Sequence, residues 1–443
     1  MLTVTITPLD AWIAEQVGAL RPGQPLAPAA LEQWQDERKS ALVHQVRAKS
    51  PFYRSRLPRV SSGPCTRDQW ELLPFTTADE LRRHAPDMLC VSQGDVSRVT
   101  TLPTSGTSGQ PKRIFFTEAD LERTVDFFHH GMSTFTKPGQ RVLVFMPGEL
   151  PDSIGDLLRR AMPRMGSEAV VHGLAGDPGA ALEAIHGARA DVIVGLPVQV
   201  LAMARHPRAA LGQRLSAVLL SADHVSQALR TAVEQAFGCP VYAHWGMTET
   251  GYGGGVECGV RHGYHLRSAD LFVEIIDPVS GRILPEGVQG EVVVSTLTAQ
   301  AMPLLRYRTG DLASLLPGPC PCGCLLPRLG PLQGRLRDQI HIDDHRTVSM
   351  AELDEILLEL PWLANYRATL RRDDRGWLLD LEIVASQASR SSHTGSAVRQ
   401  VIETALNASS LLEQDGLRLG RITTGAPTNP LSGPVKRSLQ IEP

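Results

Sequence analysis

Between Arg141 and Gly246 short apolar runs alternate with longer amphipathic segments. RVLVFM, AVVH, DVIVG, AVLL and PVYAHWG are the runs, and residues 153–164, ALEAIHGA, VQVLAMAR and QALRTAVEQAF lie between them. Runs too short for a helix, separated by segments of helical period, predict βαβ units on a largely parallel sheet. Such sheets bind ligands beyond the carboxyl ends of their strands, and His244 to Glu249 directly follows one of these ends. Beyond Asp270 the pattern changes. FVEII and GEVVVST alternate about an SGRILPEG turn, which predicts an antiparallel, barrel-like subdomain. After Gly334, Ser349 with Glu352 three residues on is a capping-box signal ahead of LDEILLEL. YRATL and WLLDLEIV read as strands, residues 395–407 as a helix and GLRLGRITT as a last strand. The first 95 or so residues read as helical, with Leu31, Trp34, Leu42 and Val46 partly periodic, and the polar stretch 386–396 reads as a mobile loop. The predicted fold class is α/β. A large N-terminal domain, 1–336, carries the mainly parallel sheets and the antiparallel subdomain, and a small α+β C-terminal domain, 337–443, follows a hinge near Arg337.

A length of 443 residues implies more than one core. The formal net charge of −3 supplies no basic field for nucleic acid or anionic lipid. The N-terminus lacks a basic segment followed by a long apolar one, and no window approaches the ~18 apolar residues of a membrane span. A cytoplasmic protein with neither nucleic-acid nor membrane partners is expected, and the pattern specifies no oligomeric state. Seven cysteines are unevenly placed, with Cys320, Cys322 and Cys324 inside five positions. Disulfides between such near neighbours are geometrically poor, which turns attention to metal binding.

The densest chemical signal is TSGTSGQPK, Thr104 to Lys112. Glycines allow close backbone approach to an anion, successive N–H groups and hydroxyls donate to its oxygens, and Lys112 adds a mobile charge. It is not a Walker A loop. HWGMTET (244–250), YRTGD (307–311), GRLRDQI (334–340) and GPVKR (433–437) follow in order. Together the five motifs resemble those of the adenylate-forming superfamily of acyl-CoA synthetases and adenylation domains, most closely its phenylacetate-CoA ligase-like branch, from about Val99 to the C-terminus.

That resemblance implies that Thr104, Ser105, Gly106, Thr107, Ser108, Gly109 and Lys112 hold the ATP triphosphate. It implies that His244, Trp245, Gly246 and Met247 line the nucleotide with the Trp245 ring against adenine, that Thr248 contacts the α-phosphate and that Glu249 binds Mg²⁺. Asp311, an acceptor-only carboxylate, would take both ribose hydroxyls, and Arg335 would support the sugar. Ala222 and Asp223 are weaker matches to an adenine-lining segment. The branch carries a Cys…His and Cys-x-Cys arrangement, implying Zn²⁺ held by Cys258, Cys320, Cys322 and His265 in preference to His262, with Cys324 spare; three reduced turn cysteines without metal are the alternative.

Two departures stand out. The family's lysine after the final glycine is Pro434 here, so Lys436 either takes over its role or is a surface lysine. In the turn after GRLRDQI, where relatives have glycine near CoA, Asp344 stands, and Arg337 takes the hinge position. The expected function is an ATP-dependent ligase that activates a small carboxylic acid, aromatic or modestly sized and apolar, as acyl-adenylate and passes the acyl group to CoA. Phe145 to Leu150, Gly195 to Val198 and Gly251 to Gly255 are the expected acid-pocket segments. The alternatives are transfer to a carrier-protein pantetheine or an amine, and a nucleotide-binding homologue that has lost catalysis.

Overall fold

The computed structural model describes residues 7–18, 26–57, 64–102, 111–209, 214–343, 346–386, 396–412, 416–424, 437 and 439–442. Thr104 to Gly109, Asp344, Gly433, Pro434, Lys436 and most of the predicted mobile loop therefore lie outside the described residues. Two compact units form, and they are not consecutive in sequence. One comprises 1–137, 160–165 and 244–332; the other comprises 138–159, 166–243 and 333–443.

In the second unit the predicted parallel sheet is present, with strands in the order Glu168–Val171, Arg141–Phe145, Val192–Gly195, Ala217–Leu220 and Val241–Trp245. Val192–Gly195 and Ala217–Leu220 are buried at every position, as continuous apolar strands covered on both faces must be. Two of the helices between them begin on side-chain caps: Asp177 accepts from the Ala180 N–H at 2.7 Å and Ser226 from Leu229 at 3.2 Å. The α+β segment adds the hairpin Leu363–Asp373 and Gly376–Ala385, flanked by Leu417–Thr424 and Gln440–Glu442 in parallel. Its helix Met350–Leu357 starts on Ser349, which accepts from the Glu352 N–H at 3.2 Å. One apolar core joins Leu143, Val218 and Val233 to Leu353, Leu381 and Leu406.

The first unit is helical at its N-terminal end, as expected, with Pro8–Val17, Pro28–Lys49, Pro51–Arg56, Arg67–Glu71 and Ala78–His84. Leu271–Ile276, Gly290–Thr296 and Tyr307–Ala313 form a three-stranded antiparallel sheet. The last residues of Val241–Trp245 pair antiparallel with Gly255–Glu257, which pairs in turn with Tyr264–Leu266 and that with Arg328–Leu329. Among the described residues no helix is long and apolar enough to cross a membrane.

Candidate active site

Three of the motifs converge in the first unit. Arg98–Leu102 and Lys112–Phe116 pair antiparallel with Leu102 opposite Lys112, so the Ser/Gly-rich loop connects two bonded strands. Sequence reading saw the loop but not the hairpin that presents it. The Lys112 ammonium forms an ion pair with Glu249 Oε1. Glu249 sits in a short turn, Thr248–Thr250, at the end of Val241–Trp245, and Gly251 closes that turn at φ +66°. The Tyr307 hydroxyl donates to the same Glu249 oxygen at 3.0 Å. Tyr307 had no role in the sequence reading although it opens the YRTGD motif; period-2 alternation from Asp311 puts it on the same strand face.

A second link joins the same two motifs, the Trp245 indole N–H donating to Asp311 Oδ2 at 3.3 Å. The Asp311 backbone N–H donates to Thr309 Oγ1 at 3.0 Å, and that hydroxyl donates to the Val292 carbonyl at 2.8 Å. Gly310, at φ +75°, makes the bend and donates its N–H to Glu291 at 3.2 Å. The Gly251–Gly255 run has a packing reason. A Cβ on Gly254 would lie 2.4 Å from the Trp245 ring, and one on Gly253 would lie 2.3 Å from Phe127. His244 lies edge-on to Phe128 and tilted against Phe127, and burial depresses its imidazole to about 4, so it is neutral near pH 7.

Ala222, Asp223 and Arg335 belong to the second unit. Ala222 adopts φ +75°, a left-handed backbone that a side-chain-bearing residue rarely takes. Asp223 Oδ2 accepts from Arg437 Nε at 3.3 Å, and Arg437 also forms a bidentate pair with Asp354 at 2.7 and 2.6 Å. The Tyr366 hydroxyl donates to Asp354 at 2.7 Å. The Asp223 carboxylate is thus engaged by Arg437, the last residue of the GPVKR motif. Arg335 precedes the turn Leu336–Asp338, its carbonyl accepting from the Asp338 N–H at 3.0 Å.

Back in the first unit, the ligand atoms of Cys258, His265, Cys320 and Cys322 all lie within 4.8 Å of one another. Cys258 Sγ is 3.7 Å from Cys320 Sγ, and His265 Nε2 is 3.8 Å from Cys322 Sγ. Tetrahedral Zn²⁺ with Zn–S of about 2.3 Å has ligand–ligand edges of roughly this size, so the donor set fits the ion in type and spacing. His262 is outside the group; its carbonyl accepts from Arg328 at 3.4 Å. A tight turn at Gly323, φ +93°, closes the cysteine loop, and the Val260 and Cys324 backbone N–H groups donate to Cys258 Sγ and Cys322 Sγ, each at 3.4 Å. Hydrogen bonding from Cys324, with His265 assisting, holds the Cys322 thiol below its ordinary value, whereas burial pushes Cys258 up.

Comparison with known proteins identifies the family and the fold. The family described as AMP-binding enzyme matches residues 23–302. Phenylacetate-coenzyme A ligase of Thermus thermophilus is 31% identical over 354 residues, covering 76% of this chain and 78% of the relative. The enzyme of the same name from Pseudomonas putida is 27% identical over 84% of this chain and 85% of its own length. A crystal structure of 2-hydroxyisobutyryl-CoA ligase in the postadenylation state, in complex with 2-HIB-AMP, superposes with a TM-score of 0.77 at 19% identity, covering 94% of this chain and 89% of that one, which shows a shared fold. With the motifs in order, their side chains joined and a family match across well over half its length, the chain belongs to the AMP-binding enzyme family, in the phenylacetate-CoA ligase-like branch of the adenylate-forming ligases.

Proposed function

We propose that the protein activates a small carboxylic acid with ATP as an acyl-adenylate, releasing pyrophosphate, and transfers the acyl group to CoA. The observation that carries this reading is the joining of Lys112, Glu249 and Tyr307 on one side and Trp245 and Asp311 on the other, because it brings together, from three distant motifs, a cation and the two carboxylates proposed to hold the metal and the ribose. Attack of a carboxylate on the α-phosphate needs neutralised phosphate charge and aligned reactants. Glu249 is the carboxylate that would hold Mg²⁺, whose charge screens the phosphate oxygens. Thr104 to Gly109 and Lys112 would bind the triphosphate, Thr248 the α-phosphate, Asp311 the ribose with Arg335 in support, and His244 to Met247 with Ala222 and Asp223 the adenine side. Lys436 is proposed as the cation bridging the carboxylate and α-phosphate, in place of the lysine that Pro434 displaces. The hinge at 336/337 and a cytoplasmic location belong to the same proposal.

The relatives' names make phenylacetate and 2-hydroxyisobutyrate the first acids to try. Acid-dependent pyrophosphate release, followed by acid-dependent loss of the CoA thiol, is expected with at least one of them. Pyrophosphate release without thiol loss would reject CoA as acceptor and favour a carrier-protein pantetheine or an amine, a reading that rests on Asp344. ATP binding with no pyrophosphate release across a broad acid panel would point to a homologue that has lost catalysis. We further propose that Cys258, His265, Cys320 and Cys322 hold one structural Zn²⁺. About one zinc per chain is expected by elemental analysis, with both zinc and thermal stability lowered in Cys322→Ser.

A further inference from the structure

Asp10 is the third residue of the helix Pro8–Val17, where an acidic side chain ordinarily reaches back to the capping residue's N–H. Three other helices of this unit close that box, Thr66 with Gln69, Thr77 with Glu80 and Thr117 with Asp120. In the first helix only the threonine half is made, Thr7 Oγ1 accepting the Asp10 N–H at 3.0 Å. The Asp10 carboxylate is instead 1% exposed, and neither oxygen meets a donor at hydrogen-bond geometry among the described residues. A buried carboxylate in that state is costly unless a partner is supplied. The groups whose proximity acts on it are the Cys324 thiol, His265 and Cys322, all at the cysteine cluster.

The cluster contains the complementary orphan. His265 Nε2 is the nitrogen that faces Cys322 Sγ, which leaves Nδ1 outward, buried and likewise without a partner among the described residues. A histidine that binds a metal through one nitrogen ordinarily donates the other N–H to a carboxylate or carbonyl, which fixes its tautomer and orientation. Three thiolates around a divalent cation leave one net negative charge. Arg328, directly opposite His265 in the strand pair and 6% exposed, supplies a nearby cation and donates to the carbonyls of Pro317, Gly318 and Pro319 just before Cys320.

We propose that Asp10 is the outer-sphere carboxylate of the metal centre, accepting the His265 Nδ1–H when Nε2 binds the ion and fastening the first helix to it. This rests on the reading of the cluster as a metal site. The full chain, its Asp10→Asn and Asp10→Ala variants and Cys322→Ser are compared for zinc content and for the rate at which a chromophoric chelator removes zinc. Wild type should hold about one zinc, and both Asp10 variants should bind it but lose it about 10- to 100-fold more readily, Asn less so than Ala because its amide oxygen still accepts a hydrogen bond. With Co²⁺ in place of zinc, the d–d bands of Asp10→Asn should move while the sulfur charge-transfer intensity of three thiolates stays. Zinc held equally well by wild type and Asp10→Asn, with unmoved cobalt bands, overturns the outer-sphere role and leaves the metal site standing. Wild-type protein without zinc, as stable as Cys322→Ser, overturns the metal reading and this proposal together. If Asp10→Ala fails to fold, the near-isosteric Asn variant decides.

Discussion

Arg306 and Tyr307 are neighbours in the chain, yet they serve two regions of the first unit built to opposite ends. The Arg306 guanidinium is 1% exposed, pairs with Glu274 through two bonds of 3.3 and 3.1 Å, and donates to the carbonyls of Glu71 at 2.6 Å and Leu73 at 3.0 Å. It also lies over the Phe75 ring, 4.2 Å from the centroid. The planar fork commits its donors to fixed protein acceptors, and burial, opposed by Arg306, raises the Glu274 carboxyl above its ordinary value. Tyr307 instead meets Glu249, which also forms an ion pair with the Lys112 ammonium. A point charge on a four-carbon stem can exchange one anion for another. One region is a closed brace, and beside it stands a carboxylate held by a flexible cation, as the proposed role in admitting a metal-bound polyphosphate would require.

Breaking the brace should have the largest effect. Arg306→Ala leaves Glu274 buried without its partner and should lower unfolding free energy by about 3–5 kcal/mol in a urea titration; a loss under about 1 kcal/mol would show that the cage braces nothing. At the exchangeable site the cost should fall on chemistry instead. Glu249→Gln keeps shape but loses charge, and acid-dependent pyrophosphate release should drop about a hundredfold, ~2.7 kcal/mol at the barrier, with the urea midpoint nearly unmoved. A large stability loss with intact turnover would invert the comparison. Asp311→Ala should weaken ATP about tenfold by calorimetry, ~1.4 kcal/mol, through loss of charge-assisted bonds to the sugar; unchanged affinity removes the ribose assignment. The smallest effect is expected from Tyr307→Phe, about 1 kcal/mol for one hydroxyl, read as an up to about fivefold higher Mg²⁺ requirement for turnover. A requirement identical to wild type would separate Tyr307 from the chemistry.

Much of the architecture was legible because its causes are local. Val192–Gly195 and Ala217–Leu220 announce themselves as fully buried strands, and Ser349 followed by Glu352 announces a helix start that the structure makes. Family resemblance favoured His265 over His262, and it is His265 that the structure groups with Cys258, Cys320 and Cys322, on the strand Tyr264–Leu266 that pairs with Arg328–Leu329. Other features left no local signal. The glycines at 253 and 254 belong to an expected acid-pocket segment, and their close packing against Phe127 and Trp245 could not be read from the sequence. Asp10 carries no signal in the sequence, because nothing in its neighbours along the chain points to cysteines more than three hundred positions away.

The sequence by itself determined the family, the order of the motifs, the parallel strands and the donor types of the cysteine cluster, since periodicity and motif spacing are properties of short segments. Tertiary structure decided which side chains meet. Tyr307 and Lys112 share Glu249 across a separation of up to 137 residues, Arg437 takes Asp223 across 214, and the segment after Gln333 shares a core with 138–243 rather than forming a unit alone. Such meetings depend on the burial of apolar faces and on the matching of charges from remote parts of the chain, and only the folded packing selects among them.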